Sequence, residues 1–215
     1  MTPEARTHFE TVFHEAAHGV VAAVLGAKVH SLTVSKDSGT MRCKMFCNQD
    51  LPVASAGISH PQFRAVTKDC TIGFAGIAAV MRFSQVSFWG AVQQGGWSDF
   101  FGTKKLSLLL KPETRPVMID LAREWSEAIV EAEWGIIGMV AKILAYENEA
   151  SETSIIDLLG EYGTQWEFAP WDDEHWKAFV EDSECDDDDE GILDLPKIFV
   201  ENPGQKLVRG RYERR

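Results

Sequence analysis

The feature that most constrains this chain is an H-E-x-x-H motif formed by His14, Glu15 and His18. The motif lies in an apolar run, Val12 to Leu25, that contains no proline and has the length of a helix. In a helix, residues four apart project from the same face, so the two histidines would stand side by side. Two such imidazoles are typical ligands of one zinc ion, and Glu15 would be placed to deprotonate a bound water. The motif therefore favours metal-dependent hydrolysis, with peptide bonds as the leading substrate class.

The alternative is a coincidence, since a chain with six histidines and many glutamates can contain this short pattern by chance. The surroundings weigh against it. Both variable positions are alanine, and Val20 and Val21 extend an uncharged flank. An ordinary buried helix has little reason to carry His-Glu and His on its apolar stripe, because unpaired polar groups there cost free energy.

Composition places the chain among soluble globular proteins of one domain, or one domain with an appendage. Of its 215 residues, 45% are hydrophobic and 25% are charged. The net charge of -12 argues against nucleic-acid or anionic-membrane binding as the main activity. Much of that charge is local, because Glu181 to Glu190 contains eight acidic residues and no basic one.

We find no signal peptide and no stretch long enough for a membrane-spanning helix. The four cysteines have no zinc-finger spacing, and reduced structural thiols are the preferred interpretation. These features predict a cytoplasmic protein.

Hydrophobic periodicity predicts a mainly α-helical fold with a small β-hairpin. Helices are predicted over Glu4–Leu25, Gln62–Phe83, Glu113–Glu149 and Ile155–Leu159, and strands over Val29–Ser35 and Thr40–Cys47, with loops at Asn48–Pro61 and Ser84–Trp97. Gly135 and Gly138 are candidate positions for a bend or a close helix contact within the segment that begins at Glu113. The hairpin has two interpretations. It could offer an edge on which an extended peptide pairs its backbone, or it could be an ordinary hairpin packed on helices.

Asp99 also has two interpretations. Ser98 is a candidate N-cap, which would place Asp99 in the first turn of a helix. An acidic residue at that position commonly complements the helix dipole and does nothing else.

Beyond Gly160 the composition changes. Trp166, Trp171 and Trp176 are spread among acidic and turn residues without periodicity, and they could cover the body or dock a partner. The acidic run at 181–190 is predicted to be solvated, because like charges repel and nothing there builds a core. We therefore divide the chain into residues 1–160 and an acidic, tryptophan-containing extension, 161–215.

Over about residues 5–160 the chain resembles the peptidase domain of FtsH-type, ATP-dependent zinc metalloproteases. His14-Glu-Ala-Ala-His18-Gly-Val-Val is similar to that family's H-E-A-G-H-A-V-V. Phe74-Ala-Gly-Ile-Ala-Ala79 falls where the family has L-x-G-R-A-A-E. Gly95-Gly-Trp-Ser-Asp99-Phe resembles the family's G-A-x-N-D-L, whose aspartate is a zinc ligand.

The resemblance implies a helical, zincin-like fold and assigns roles to individual residues. His14, His18 and Asp99 would bind Zn²⁺, and Glu15 would be the catalytic base. The segment after the first strand, with Thr40, Met41, Arg42 and Cys43, would bind the substrate.

The chain also departs from the family. Ile77 and Val80 stand where the family has arginine and glutamate, and no Walker-type nucleotide motif occurs in the sequence. No ATPase domain or membrane span is recognisable. The expected function is a stand-alone zinc endopeptidase that cuts flexible protein or peptide substrates, alone or beside a separate unfoldase. A homo-oligomer is left open, and no nucleic-acid partner is expected.

Two further functions stay open at this point. The first is a non-catalytic interaction module that uses an old peptidase surface, the tryptophan-rich region and the acidic extension. The second is a zinc-dependent regulator that cleaves one specific protein.

Overall fold

The computed structural model describes residues 3–35, 38–50, 52, 56–57 and 60–163, together with three short strands between residues 201 and 214. It is mainly helical, as the sequence predicts, and the body contains a small three-stranded antiparallel sheet that includes the predicted hairpin. The elements that build the body are α1 (Pro3–Val24), β1 (Val29–Val34), β2 (Gly39–Cys43), α2 (Pro61–Ser84), α3 (Phe88–Ala91), a π-helical turn (Val92–Gly96), α4 (Trp97–Ser107), a 3₁₀ turn (Pro112–Thr114), α5 (Arg115–Ala132), α6 (Trp134–Glu147), β3 (Glu149–Ala150) and α7 (Glu152–Tyr162).

Helix α1 runs through the centre of the body. Its fully buried residues are Val12, Ala16, Ala17, Val20, Val21 and Ala22. The alanines let neighbouring backbones come close, and Phe13 is stacked between Phe83 at 4.8 Å and Trp134 at 5.1 Å, measured between ring centroids. The helix ends before Gly26, whose φ of 79° is a left-handed conformation that suits glycine. The same helix that carries the H-E-x-x-H motif is therefore held on several sides by the core.

Helix α2 packs along α1 and is also largely buried. Pro61 occupies its first turn, and the ring of His60 caps it, with Nδ1 accepting a hydrogen bond from the Gln62 amide at 3.0 Å. Buried residues recur at Phe63, Val66, Cys70, Phe74 and Ile77, in the three-to-four spacing of a core-facing helix. The predicted helix is confirmed to within one residue at each end.

The sheet has the strand order β2-β1-β3. The hairpin pairs Leu32 with Met41 and Val34 with Gly39, and β3 adds a third strand by pairing Ala150 with Leu32. The sequence predicts the hairpin but not β3, which has only two residues. Because β1 is in the middle, β2 lies at one edge of the sheet.

The structure differs from the sequence prediction in two segments. The expected loop at 84–97 contains α3 and the π-helical turn, with a kink at Gly95, whose φ is 136°. The helical segment expected from Glu113 to Glu149 is divided at Glu133 into α5 and α6, two residues before the candidate bend at Gly135. Glu133, at the division between the two helices, is only 2% exposed. Three glycines, at 90, 95 and 96, lower the helical signal between 84 and 97, where the structure nevertheless forms helical turns.

Most of the extension, 164–200, lies outside the described residues, so the predicted domain division stays a prediction. Strands β4 (Glu201–Asn202), β5 (Gln205–Val208) and β6 (Arg211–Arg214) form an antiparallel sheet in the order β4-β5-β6.

Cys43, Cys47 and Cys70 are free thiols. Within the described part of the chain, no single helix is long and apolar enough to cross a membrane; α2 and Phe88–Ser107 pass that test only as a pair bent by 106°.

Replacement of Gly19 by alanine tests the close contact between α1 and its neighbours. A Cβ atom at Gly19 would lie 2.7 Å from Leu32 Cδ2 and 3.2 Å from Ile155 Cδ1. Because both side chains are buried, we expect Gly19→Ala to lower the free energy of unfolding by about 1–3 kcal/mol. The matched control is Gly138→Ala in α6, where a Cβ meets nothing within 4 Å. It should stabilise by about 0.5–1 kcal/mol. Urea denaturation measures both, and a Gly19→Ala protein as stable as wild type would contradict the packing described.

Candidate metal centre

Three potential ligand atoms converge between α1 and α4. His14 Nε2 lies 3.1 Å from His18 Nε2 and 2.8 Å from Asp99 Oδ2, and His18 Nε2 lies 3.5 Å from the same oxygen. Ligands about 2.0–2.1 Å from a tetrahedrally bound zinc ion are separated by about 3.3 Å. The described residues contain one group of His, Cys, Asp or Glu side chains close enough to share a metal ion, and it is this one. The site residues proposed from the sequence as ligands are thus brought together.

The surroundings of Asp99 Oδ2 also suit a bound metal ion. The atom is buried and makes no hydrogen bond of acceptable geometry, although both histidine nitrogens lie within 3.5 Å. A protonated histidine can balance the charge of this carboxylate, but a buried oxygen also needs an aligned donor or a cation, and neither ring nitrogen is aligned as a hydrogen-bond donor. The arrangement is explained if the two histidine nitrogens and this oxygen all point toward a shared metal ion and not toward one another.

His18 has a second partner that fixes how its ring is used. Its Nδ1 lies 2.7 Å from the carbonyl oxygen of Ile72 on α2, and the side chain is buried. When Nδ1–H donates to that carbonyl, the lone pair of Nε2 points toward Asp99 and is available to a metal. Such an acceptor orients most metal-binding histidines. The sequence could not reveal it, because the acceptor is a backbone atom of an apolar residue 54 positions away.

His14 is positioned by a glycine. A Cβ atom at Gly76 of α2 would lie 2.4 Å from His14 Nε2 and 2.5 Å from its Cε1. The ring therefore occupies space that any other residue at this position would fill.

Asp99 reaches the histidines because α4 starts close to α2. The π-helical turn and the kink at Gly95 redirect the chain just before α4. At Gly96, a Cβ atom would lie 2.6 Å from Ile77 Cγ1, so the approach requires a residue without a side chain. The helix begins at Trp97, with Gly96 as its N-cap. The sequence interpretation of Ser98 as the cap is wrong, whereas Asp99 does lie in the first turn.

The charges of the site are strongly coupled. Burial lowers the pKa of His18, but the Asp99 carboxylate beside it more than compensates and raises that pKa to about 9. Burial raises the pKa of Asp99, but His18 and His14 hold it well below its usual range. In the absence of a metal these groups therefore form an ion pair, and a metal that binds His18 must displace a proton.

Glu15 lies beside the ligands without joining them. It is buried, and burial raises the pKa of its carboxyl against the opposing effect of His18 and His14. A Cβ atom at Gly39 would lie 2.1 Å from Glu15 Cγ, so the start of β2 must be glycine for this carboxylate to fit. A buried carboxylate with a raised pKa is suited to accept a proton near neutral pH.

A cleft of about 880 Å³ opens in front of these side chains. Its lining comes from α1, α2, α4 and β2, and includes the four residues that the resemblance assigns to substrate binding, Thr40, Met41, Arg42 and Cys43. His30 is exposed and also lines the cleft, but it does not belong to the ligand group. The edge strand of the sheet thus runs along the same cleft as the three ligands.

The loop after β2 is attached to α2 by side chains that sequence reasoning did not single out. Asp69 accepts hydrogen bonds from the Phe46 amide at 3.0 Å and from the Cys47 amide at 2.8 Å. Gln62 exchanges two hydrogen bonds with the backbone of Asn48, at 3.0 and 2.7 Å. A buried aspartate in an otherwise apolar helical stripe is the signal that could have found Asp69.

The two departures from the family pattern lie close to the centre. Ile77 is 1% exposed and packs at Gly96, while Val80 is 2% exposed and lines the cleft. Both side chains are buried in the hydrophobic core, and neither brings a charge to the site.

In comparisons with known proteins, the chain matches no protein-family model, and no curated protein is significantly similar to it.

Replacement of Gly76 by alanine tests the geometry around His14. The new methyl group would occupy the ring's position, so we expect zinc affinity to fall by about 10–100-fold, the usual cost of disturbing the surroundings of a ligand. Competition with a chromophoric chelator measures this. Gly102→Ala on α4 is the control, because a Cβ there meets nothing within 4 Å and should leave affinity unchanged. Equal affinities in the two variants would contradict the described position of His14.

Proposed function

We propose that this protein is a zinc-dependent endopeptidase with a zincin-like, FtsH-type peptidase fold. One observation carries the proposal: His14 Nε2, His18 Nε2 and Asp99 Oδ2 converge within 3.5 Å of one another. The Ile72 carbonyl supports it by orienting the His18 ring.

The donor set favours zinc. Two imidazoles and one carboxylate are typical of catalytic zinc sites, which have three protein ligands and leave one position open. The cleft at this position has room for water and for a substrate carbonyl. When bound, zinc supplies a Lewis acid that polarises a carbonyl group and lowers the pKa of water in the site.

Glu15 would move the proton. Its carboxylate would accept a proton from the attacking water and deliver it to the nitrogen of the departing amine. Burial supports both parts of this role, because it raises the pKa of the Glu15 carboxyl and keeps the carboxyl away from bulk water. Glu15 keeps its position through contact with Gly39 and through the helix that it shares with both histidines.

The substrate would bind in extended form. Strand β2 lies at the edge of its sheet and lines the cleft, so its outer backbone groups are available to pair with a peptide. Thr40, Met41, Arg42 and Cys43 would then contact alternate substrate side chains. This mode requires a segment that is already flexible or unfolded, which is why a separate unfoldase is a candidate partner. A cytoplasmic location fits the free thiols of Cys43, Cys47 and Cys70.

A non-catalytic interaction module is the second candidate. The buried, uncharged Ile77 and Val80 favour it, since they stand where the family that the chain resembles has arginine and glutamate. Metal dependence separates the candidates: protein binding that is unaffected by a chelator, without peptide turnover, would favour the module.

Zinc content and cleavage of a fluorescently labelled unfolded protein, such as casein, test the proposal together. Wild type should contain about one zinc per chain. Glu15→Gln should retain the zinc and lose cleavage by about 10²–10⁴-fold, because the shape is kept and the base is removed. Asp99→Ala should lose both zinc and activity.

Glu127→Gln on α5 serves as the control, because this partly exposed carboxylate pairs only with Arg123 among the described salt bridges and lies outside the ligand group; it should resemble wild type in zinc content and rate. Normal cleavage by Glu15→Gln would overturn the assigned mechanism. Failure of wild type to bind zinc after reconstitution would overturn the peptidase proposal and leave the interaction module.

A further inference from the structure

Helix α4 carries polar residues on part of its inner side and large apolar residues on part of its outer side. Toward the protein it presents Asp99, Thr103 and Ser107, of which Thr103 and Ser107 are buried. Toward solvent it presents Trp97, Phe101 and, one residue past its end, Leu108, which are 44%, 60% and 43% exposed. These three residues are spaced by four and seven positions and share one face. The metal ligand accounts for the polar inner face, but nothing in the site accounts for the apolar outer one.

The outer face continues into a larger aromatic cluster. Trp97 stacks on Phe101 at 5.4 Å and contacts Phe100 at 6.2 Å, and Phe100 contacts Trp89 at 5.2 Å, between ring centroids. Trp89 on α3 is itself 55% exposed. A contiguous exposed apolar patch of this kind usually marks an interaction surface.

A groove of about 790 Å³ lies beside this cluster, between α4 and α5. Its apolar lining includes Phe101, Leu108, Pro112, Pro116 and Ile119. Lys104, Lys105 and Arg115 also line it, with Asp120 as the one acidic lining residue. The groove therefore combines an apolar floor with a net positive charge, in a chain whose net charge is -12.

A suitable occupant must be both acidic and aromatic, and the chain contains such a segment. Residues 166–190 carry Trp166, Phe168, Trp171, Trp176 and Phe179, together with the eight acidic residues of the run at 181–190. Lys177 is the only lysine or arginine among them. Aromatic side chains fit the apolar floor, and the acidic residues complement the three cations.

Chain length permits the contact. A chain as long as the one between Gly163 and Glu181 can span up to about 60 Å. A domain of this size has a radius of gyration of only about 15 Å. Because both partners belong to one molecule, even weak complementarity acts at a high effective concentration.

We propose that the α4–α5 groove is an intramolecular docking site for the chain's own acidic, aromatic segment, residues 166–190. Two other occupants fit less well. A second copy meeting the groove face to face would bring the cations of both copies together. An anionic lipid surface would match the aromatic residues and lysines but would be repelled by the net charge of the whole chain. The proposal does not depend on metal binding or on peptidase activity.

Disulfide cross-linking in the full-length protein tests the docking, because Cys185 lies within the proposed occupant. Leu108→Cys places a thiol in the groove, and Tyr146→Cys places a matched thiol on α6, where Tyr146 is 79% exposed. Under mild oxidation, Leu108→Cys should form an intramolecular bond with Cys185 at least about ten times faster than Tyr146→Cys, owing to the raised effective concentration. Peptide mapping identifies the bond, and thermal melts monitored by circular dichroism confirm that each variant folds.

Charge reversal tests whether the cations of the groove are required for docking. Adding Lys104→Glu and Lys105→Glu to Leu108→Cys should abolish the rate advantage. The same number of reversals at the exposed Lys28 and Lys142 should preserve it. The proposal would be overturned by equal rates for Leu108→Cys and Tyr146→Cys. It would also be overturned if Leu108→Cys gave mainly disulfide-linked dimers, which would assign the groove to a second copy. Sedimentation with phosphatidylglycerol vesicles that requires Lys104 and Lys105, without the intramolecular bond, would assign it to lipid.

Discussion

The close packing of α1 against α2 is the constraint on which the rest of the structure depends. Ala16 and Ala17 of α1 and Ala75 and Ala79 of α2 are fully buried small residues, and Gly76 of α2 lies directly against the His14 ring. That proximity brings the Ile72 carbonyl to His18 and leaves space for the His14 ring over Gly76. A bulkier interface would separate the histidines from the atoms that orient them. Small residues here serve a polar site as much as an apolar core.

The site places several polar groups inside the protein, where each would be unfavourable alone. Glu15, His18 and the inner oxygen of Asp99 are all buried. Burial raises the pKa of Glu15, while mutual attraction raises the pKa of His18 and lowers that of Asp99. The surrounding hydrophobic core must supply the stability that these groups do not. Buried polar clusters of this kind are more often functional than stabilising, and this is why the centre supports a catalytic proposal.

Helix α4 connects the two surfaces that carry the proposals. Its inner face delivers Asp99 to the histidines, and its outer face presents Trp97, Phe101 and Leu108 to solvent beside a cationic groove. A short helix cannot bury both of its faces. Because the face with Asp99 points toward the histidines, Trp97 and Phe101 on the opposite face remain exposed to solvent. An exposed apolar face is tolerated when something covers it, and the acidic, aromatic segment of the same chain has the matching composition.

The sequence by itself determined the elements whose signal is local. The periodic apolar residues of α1 and α2 and the alternation in β1 predicted those elements closely, and the four-residue spacing of His14 and His18 placed both on one face. Only the tertiary structure decided what depends on contacts between distant residues. These include the Ile72 carbonyl that orients His18, the glycines that make room for His14 and Glu15, and the π-helical turn that brings Asp99 to the site. Short-range patterns report which face of an element is apolar. They carry no information on how closely two backbones approach, and that distance determines whether the three ligand atoms can share one metal ion.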